Sequence, residues 1–391
     1  MKLEILGLCF LSIVVYRSDR CNQSQHFALS KLAVVNRDTE CTHKFLAPPP
    51  PCTMKLLPAL VLATSALAAP KPSQGGTWTN LAPIPIAPRQ EHITVAVSPS
   101  ELAILTGIIP SGPGYNTTAL VQLYHIPTNT WRPAAPAPLP LNHANAAAVD
   151  GKIYLLGGLA DAPDGAWRAV PNSWVYDPSA DAWTELPPLP AGHARGSAIA
   201  GVWKKTIFLA GGMRVLVPVA GGEQDTVDIV SAYDTVKGRW IDVPAAAAHI
   251  PAARDHAGGA VVGHTFYVVG GRDRGQRNVR DTVFALDFKD LEAGWSTKSS
   301  RMPTPRGGIA AAAVGEKIYT FGGEGNPNSE IGVYNETEVY DTVKNTWDQL
   351  PVMPLPRHGT SAVAIGGKVF IPGGGLKIGA DPVDSFDVYR P

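Results

Sequence analysis

Five arginines, Arg89, Arg195, Arg254, Arg306 and Arg357, stand at equivalent places in a repeated segment, each just ahead of a short run of small apolar residues. Imidazoles lie close by at His92, His143, His256 and His358, and the second segment has Leu141 in the arginine's place. A guanidinium beside an imidazole or carboxylate can do two kinds of work. It can grip an anionic or hydroxyl-rich ligand through its forked donors, or hold a substrate oxygen while a neighbouring acid or base moves a proton. The pairs best placed for the second role are His256 with Arg254 and His358 with Arg357. The competing reading is structural: each arginine ties its unit to a neighbour through a backbone carbonyl or a carboxylate, with Glu91, Asp255, Asp273 and Glu324 near enough to pair with some of them. Two guanidiniums about 10 Å apart repel by about 0.4 kcal/mol in water and about 1.7 kcal/mol at an effective dielectric near 20. Five of them around one rim therefore need partners. Both readings stand on sequence alone.

The elements that must carry these residues come from an internal repeat. Trp78, Trp131, Trp183, Trp240, Trp295 and Trp347 recur at intervals of 52 to 57 residues. A tyrosine precedes the tryptophan by seven residues at Tyr124, Tyr176, Tyr233 and Tyr340, with aspartate after the last three. Double glycines end apolar runs at Gly157-Gly158, Gly211-Gly212, Gly270-Gly271, Gly322-Gly323 and Gly373-Gly374, and the first unit has Thr106-Gly107 there. The fourth unit departs: Leu286 replaces the tyrosine, nine residues before Trp295. Each unit parses into four short strands joined by Gly-, Asp- and Asn-rich turns, an antiparallel meander. The first strand is small, as in Ala144–Val149 and Ala310–Ala313, which suits the crowded centre of a radial array; the tryptophans read as wedges between sheets.

On these Gly-Gly, Tyr-Asp and Trp landmarks the chain resembles the kelch family of β-propellers from Trp78 to Pro391. The expected fold class is all-β, a six-bladed kelch-type β-propeller. The last unit has three strands and no tryptophan strand, so the strand holding Trp78 is expected to complete it, which would remove open sheet edges. In such a ring the arginines open the innermost strands and would rim the central channel, on the face that carries the variable loops after the double glycines. The resemblance implies no single function: kelch propellers include enzymes, adaptors and sugar-binding proteins, and some use this arginine to grip acidic peptides. Galactose oxidase is a fold relative, but its copper chemistry needs a tyrosine cross-linked to a cysteine, and no cysteine follows Cys52 here.

The 391 residues are 45% hydrophobic and 17% charged, with 33 basic and 33 acidic residues, so no global charge points to nucleic acid. No apolar run reaches the roughly 18 residues of a membrane span. Residues 54–69, MKLLPALVLATSALAA, have the layout of a secretory signal, with Met54 as start and residues 1–53 read as a mis-called upstream extension or a disordered segment; the rival reading puts the signal at Lys2–Tyr16, which would strand a second signal-like segment inside the exported chain. The exported part, residues 70–391, is then expected to be extracellular and monomeric, with sequons at Asn116 and Asn335 as glycan sites. The loops 108–120, 159–173, 213–228, 272–281, 324–336 and 375–384 are long and diverse, as recognition loops are. The expected ligand-binding set is Arg89, His143, Arg195, Arg254, His256, Arg306, Arg357 and His358. Its expected partners are a carbohydrate, an anionic small molecule or a protein, with no metal and no cofactor. The alternative is a cofactor-free sugar or secondary-metabolite enzyme, resembling the six-bladed sugar mutarotases. A deep mouth with convergent Arg, His and carboxylate groups would favour the enzyme; arginines buried in ion pairs would favour a binding module.

Overall fold

The computed structural model describes residues 75–112 and 114–391; the segments read as upstream extension and export signal lie outside the described residues, as do all four cysteines. Each repeat forms an antiparallel sheet built on four strands, and in the second Met213–Leu216 and Gln224–Thr226 of the next repeat extend that sheet to six. In the fifth, Ala310–Val314, Lys317–Phe321, Thr337–Asp341 and Thr346–Leu350 pair in that order. The second and third strands are buried almost throughout, because a sheet covers each face; the second reads as a largely apolar and aromatic run, while the third also buries Thr337, Glu338 and Asp341.

The innermost strands are Ile93–Ser98, Ala146–Val149, Ile199–Trp203, Gly258–Val262, Ala310–Val314 and Val363–Ile365, which number blades 1 to 6. Each contacts the next, and the sixth returns to the first, so the blades close a ring. Ala146, Ala148, Ala198, Ala200, Ala257, Gly259 and Ala311 line a narrow axial channel of about 320 Å³. Thr77–Asn80 supplies the outer strand of blade 6, with Trp78 opposite Tyr389 and Thr79 opposite Val388. The expected closure is therefore present, and the sixth sheet joins both ends of the described chain. No α-helix occurs among the described residues; one 3₁₀ turn, Leu291–Ala293, takes up the extra length of blade 4 and lets Leu286 still face Trp295.

The tryptophans join blades by a repeated bond. The indole N–H of Trp131 donates to Ala82 O (2.9 Å), Trp183 to Ala135 O (3.0 Å), Trp240 to Pro187 O (3.0 Å), Trp295 to Ala247 O (3.0 Å) and Trp78 to Pro351 O (3.1 Å). Each acceptor lies just beyond the outer strand of the preceding blade. Trp347 makes no such bond among the described residues.

Candidate functional site

The arginines are inside the blades. Arg89, Arg195, Arg306 and Arg357 are wholly buried and Arg254 is 3% exposed. Arg195 donates to the carbonyls of Gly211 (2.6 Å), His193 (2.7 Å) and Leu209 (2.9 Å) and to Ser231 Oγ (3.1 Å). Arg306 bonds Gly322 O at 2.7 Å and pairs with Glu338 at 2.5 Å; Arg357 pairs with Asp387 at 2.7 Å. Arg89 bonds the Gln122 side chain, and Arg254 bonds Thr282 Oγ1 at 2.6 Å and lies over the Phe284 ring. All these partners belong to the arginine's own blade. The physical reason is backbone accounting: carbonyls at strand ends beside the double glycines lack ladder partners, and a buried guanidinium satisfies several at once. This corrects two expectations. The five arginines do not line the mouth, and they do not tie blade to blade. Glu91, Asp255 and Glu324 are not their partners either.

The axis is instead met two residues further on. There the backbone turns left-handed in every blade, at Glu91 (φ 52°), His143 (50°), Ser197 (54°), His256 (51°), Gly308 (64°) and Gly359 (60°). Their amides hand on around the ring: His143 N–H to Glu91 O (2.9 Å), Ser197 to His143 O (2.7 Å), Gly308 to His256 O (2.8 Å), Gly359 to Gly308 O (3.1 Å) and Glu91 to Gly359 O (2.6 Å). His256 N–H goes to Ser197 Oγ at 3.0 Å. A left-handed backbone costs a residue with a Cβ about 1–2 kcal/mol, yet Glu91, His143 and His256 adopt it. Glycine at 359 is needed for a second reason: a Cβ there would run into the Glu91 carboxylate.

The ring thus delivers a carboxylate and two imidazoles to the axis. Glu91 Oε2 is 3.1 Å from His143 Nε2 and 3.8 Å from His256 Nε2, and the two Nε2 atoms are 2.9 Å apart. Both rings are held from behind: His143 Nδ1 donates to Asn142 Oδ1 (2.6 Å) and His256 Nδ1 to Asp255 Oδ1 (2.6 Å). Arg272, one residue past the blade-4 double glycine, sets Nε 3.0 Å from Asp255 Oδ1 and Nη2 3.1 Å from His256 Nε2, and its Nη1 pairs with Glu324. His358 Nε2–H donates to Lys377 O at 2.7 Å, and its Nδ1 lies 3.4 Å from Glu324 Oε2.

Burial would raise the Glu91 carboxyl, but His143, then His256 and His358, outweigh it and hold Glu91 well below the usual carboxylate range. Asp255 and Glu324 are likewise lowered against the pull of burial, Asp255 chiefly by His256 and Arg272, Glu324 by His358 and Arg272. Burial and then Arg272 push His256 down, against Asp255. Burial would lower the Arg272 guanidinium, but Glu324, Asp255 and Glu91 raise it.

Above this floor the six loops form a collar around a cavity of about 1020 Å³. The collar is sewn from blade to blade by Thr117 Oγ1 to Asp161 (2.6 Å), the pairing of Trp167 with Leu216, Arg274 N–H to Thr226 Oγ1 (2.9 Å), Ile378 N–H to Ile331 O (2.8 Å) and Asp381 N–H to Tyr115 Oη (3.1 Å). The arc from blades 2 and 3 is largely apolar, with Trp167, Leu216, Val217 and Pro218; blade 4 adds Gln276, Arg277 and Asn278. His143 lies tilted by 48° against Trp167, their ring centres 5.6 Å apart.

Of the eight expected site residues, the structure brings His143, His256 and His358 together at the floor and keeps the five arginines apart from it. His92 is buried elsewhere, against Gly373. Arg272 and Glu324 were readable in the sequence, since both follow a double glycine where other blades carry Ile108, Leu159, Met213 and Gly375. Asn116 is exposed beside the cavity residue Tyr115, and Asn335 is half-buried.

Two family models match the chain: one described as "KLHDC2/KLHL20/DRC7 Kelch-repeats domain" over residues 217–374, and one as "Kelch motif" over 140–190. Kelch-like protein terF of Aspergillus terreus is 40% identical over 339 residues, 85% of this chain and 72% of that protein. Human Kelch domain-containing protein 3 is 27% identical over 257 residues, which span 61% of this chain and 64% of that one, less than two thirds of its length. N-acetylneuraminate epimerase of Haemophilus influenzae is 36% identical over 118 residues, 30% of each chain.

Proposed function

This chain belongs to the kelch-repeat family of β-propellers, and from that premise we propose that its loop-face cavity binds a small oxygen-rich molecule, a carbohydrate or related anionic metabolite, and acts on it chemically. The observation that carries the reading is the convergence of Glu91, His143, His256 and Arg272 at the bottom of a walled cavity. A passive binding surface has no need of three ionisable side chains within 4 Å of one another, all three on left-handed backbone. Arg272 is placed to hold a carbonyl or carboxylate oxygen. The Glu91–His143–His256 group then lies where it can activate that oxygen or the carbon beside it. The apolar arc of Trp167, Leu216 and Val217 takes the carbon face of a ring. The reaction class that fits is rearrangement at a hemiacetal or α-carbonyl centre, such as anomer exchange or epimerisation, and the partial likeness to a sugar epimerase supports it.

The test is exchange NMR of the purified full chain with neutral, amino and acidic reducing sugars. Accelerated anomer exchange that is lost in Glu91→Gln supports the reading. No acceleration for any of them, together with no saturation transfer from the protein, overturns it. Export belongs to the same proposal and rests on residues 54–69, with Asn116 as an accessible glycan site. Amino-terminal sequencing of secreted material, and a glycosidase mobility shift lost in Asn116→Gln, test that part.

A further inference from the structure

We propose that Glu91, His143 and His256 form a three-ligand site for a divalent transition-metal ion, open toward the loop-face cavity. The sequence gives no local sign of it, because the ligands come from blades 1, 2 and 4 and are adjacent only in the closed ring.

Four observations carry the inference. The three donor atoms make a triangle with sides of 2.9, 3.1 and 3.8 Å. A common point about 2 Å from all three lies in that triangle, matching the roughly 2.0–2.2 Å of metal–nitrogen and metal–carboxylate bonds. The tautomers are set for ligation: each Nδ1–H is used behind the ring, on Asn142 and on Asp255, which turns both Nε2 lone pairs inward. Two Nε2 lone pairs 2.9 Å apart repel each other unless a proton or a metal ion stands between them. Finally, the buried cluster sets three carboxylates, Glu91, Asp255 and Glu324, against one guanidinium, Arg272. With the three imidazoles neutral, that leaves an excess of two negative charges, which a dication matches.

Two imidazoles and one carboxylate are the donor set of His₂Glu zinc sites and of facial-triad iron sites. Arg272 Nη2 stands 3.1 Å from His256 Nε2. A metal on that lone pair turns this donor toward the cavity, where it can meet a ligand oxygen, while Asp255 and Glu324 keep the other nitrogens. The inference rests on the small-molecule reading only for the metal's role, which would be to polarise the bound oxygen; metal binding itself is independent of it.

The test uses the full chain purified without a histidine tag, stripped with chelator, and titrated with Co²⁺ and then Zn²⁺. The expected result is one Co²⁺ per chain with the visible spectrum of the protein-bound ion, displaced by Zn²⁺. His143→Gln and His256→Gln should each weaken Co²⁺ binding at least about tenfold. Asn142→Ala, which keeps all three ligands, should weaken it about tenfold or more. His249→Gln, an exposed histidine paired with Asp228, should leave it unchanged. Circular dichroism melting checks that each variant is folded. A folded wild-type chain that gives no bound-Co²⁺ spectrum overturns the inference whatever the variants do, and so does unchanged affinity in both folded histidine variants. Metal binding without sugar exchange would reject the carbohydrate chemistry and keep the metal; sugar exchange without metal binding would do the reverse.

Discussion

Arg272 and Glu324 occupy the same position in consecutive blades, one residue past the double glycine, and their side chains meet across the blade boundary as a buried ion pair. Glu324 also accepts from Gly379 N–H at 2.9 Å, so one carboxylate links blades 4, 5 and 6 beneath the cavity.

Removing one member of this pair strands the other in a buried site. Glu324→Gln is expected to lower stability by about 3–5 kcal/mol, read from urea unfolding midpoints. A loss under about 1 kcal/mol would mean that the pair is solvated and the floor open.

The blade arginines should behave in the opposite way to the floor. Arg195→Met removes a guanidinium that satisfies several carbonyls, and is expected to cost about 3 kcal/mol or more. Co²⁺ stoichiometry and sugar exchange should be unchanged in whatever fraction stays folded. Loss of binding at full stability would return the arginines to the ligand site.

The indole bonds give a differential test. Trp183→Phe loses a bond to Ala135 O, whereas Trp347→Phe loses none among the described residues. The first should cost about 1 kcal/mol more than the second in thermal unfolding. Equal costs would show that the indole bond does nothing between blades.

Alkaline pH should act through the repeat tyrosines. Burial pushes Tyr233, Tyr340 and Tyr389 up to about 12, and Tyr124 and Tyr176 are also raised, first by burial. In the unfolded chain tyrosine ionises near 10. Above that pH the unfolded state releases protons that the folded state keeps. The tyrosine contribution is therefore complete below about pH 10 and is lost as pH rises through about 12. Tyrosinate absorbance should lag until the chain unfolds. Tyr233→Phe should be nearly neutral at pH 7, since that hydroxyl makes no hydrogen bond among the described residues, and should soften the alkaline loss. Ionisation of these tyrosines in a fully folded chain would contradict their burial.

The ring of blades was legible because packing repeats. Trp, Tyr and Gly-Gly recur wherever one sheet meets the next, and the closing strand could be inferred from the missing sixth tryptophan strand. The site was only half legible. Aligning the units drew attention to Arg89, Arg195, Arg254, Arg306 and Arg357, but a residue that recurs in nearly every unit does what every unit needs, here satisfying carbonyls. Chemistry sits where the units differ: Glu, His, Ser, His, Gly and Gly two residues on, and Arg272 and Glu324 among apolar or small equivalents. The contact of His143 with His256, 113 positions apart, follows only from closure.

The left-handed hydrogen-bonded ring at the axis has a bearing on how such a protein can change. Five of its six links run between main-chain atoms and the sixth through Ser197 Oγ, so only Ser197, and Gly359 against the Glu91 carboxylate, tie the frame to a side chain. Glu91, His143, His256 and Gly308 are stations whose side chains take no part in the links. Duplicated segments that diverge at these stations alone could exchange one reaction for another on an unaltered frame.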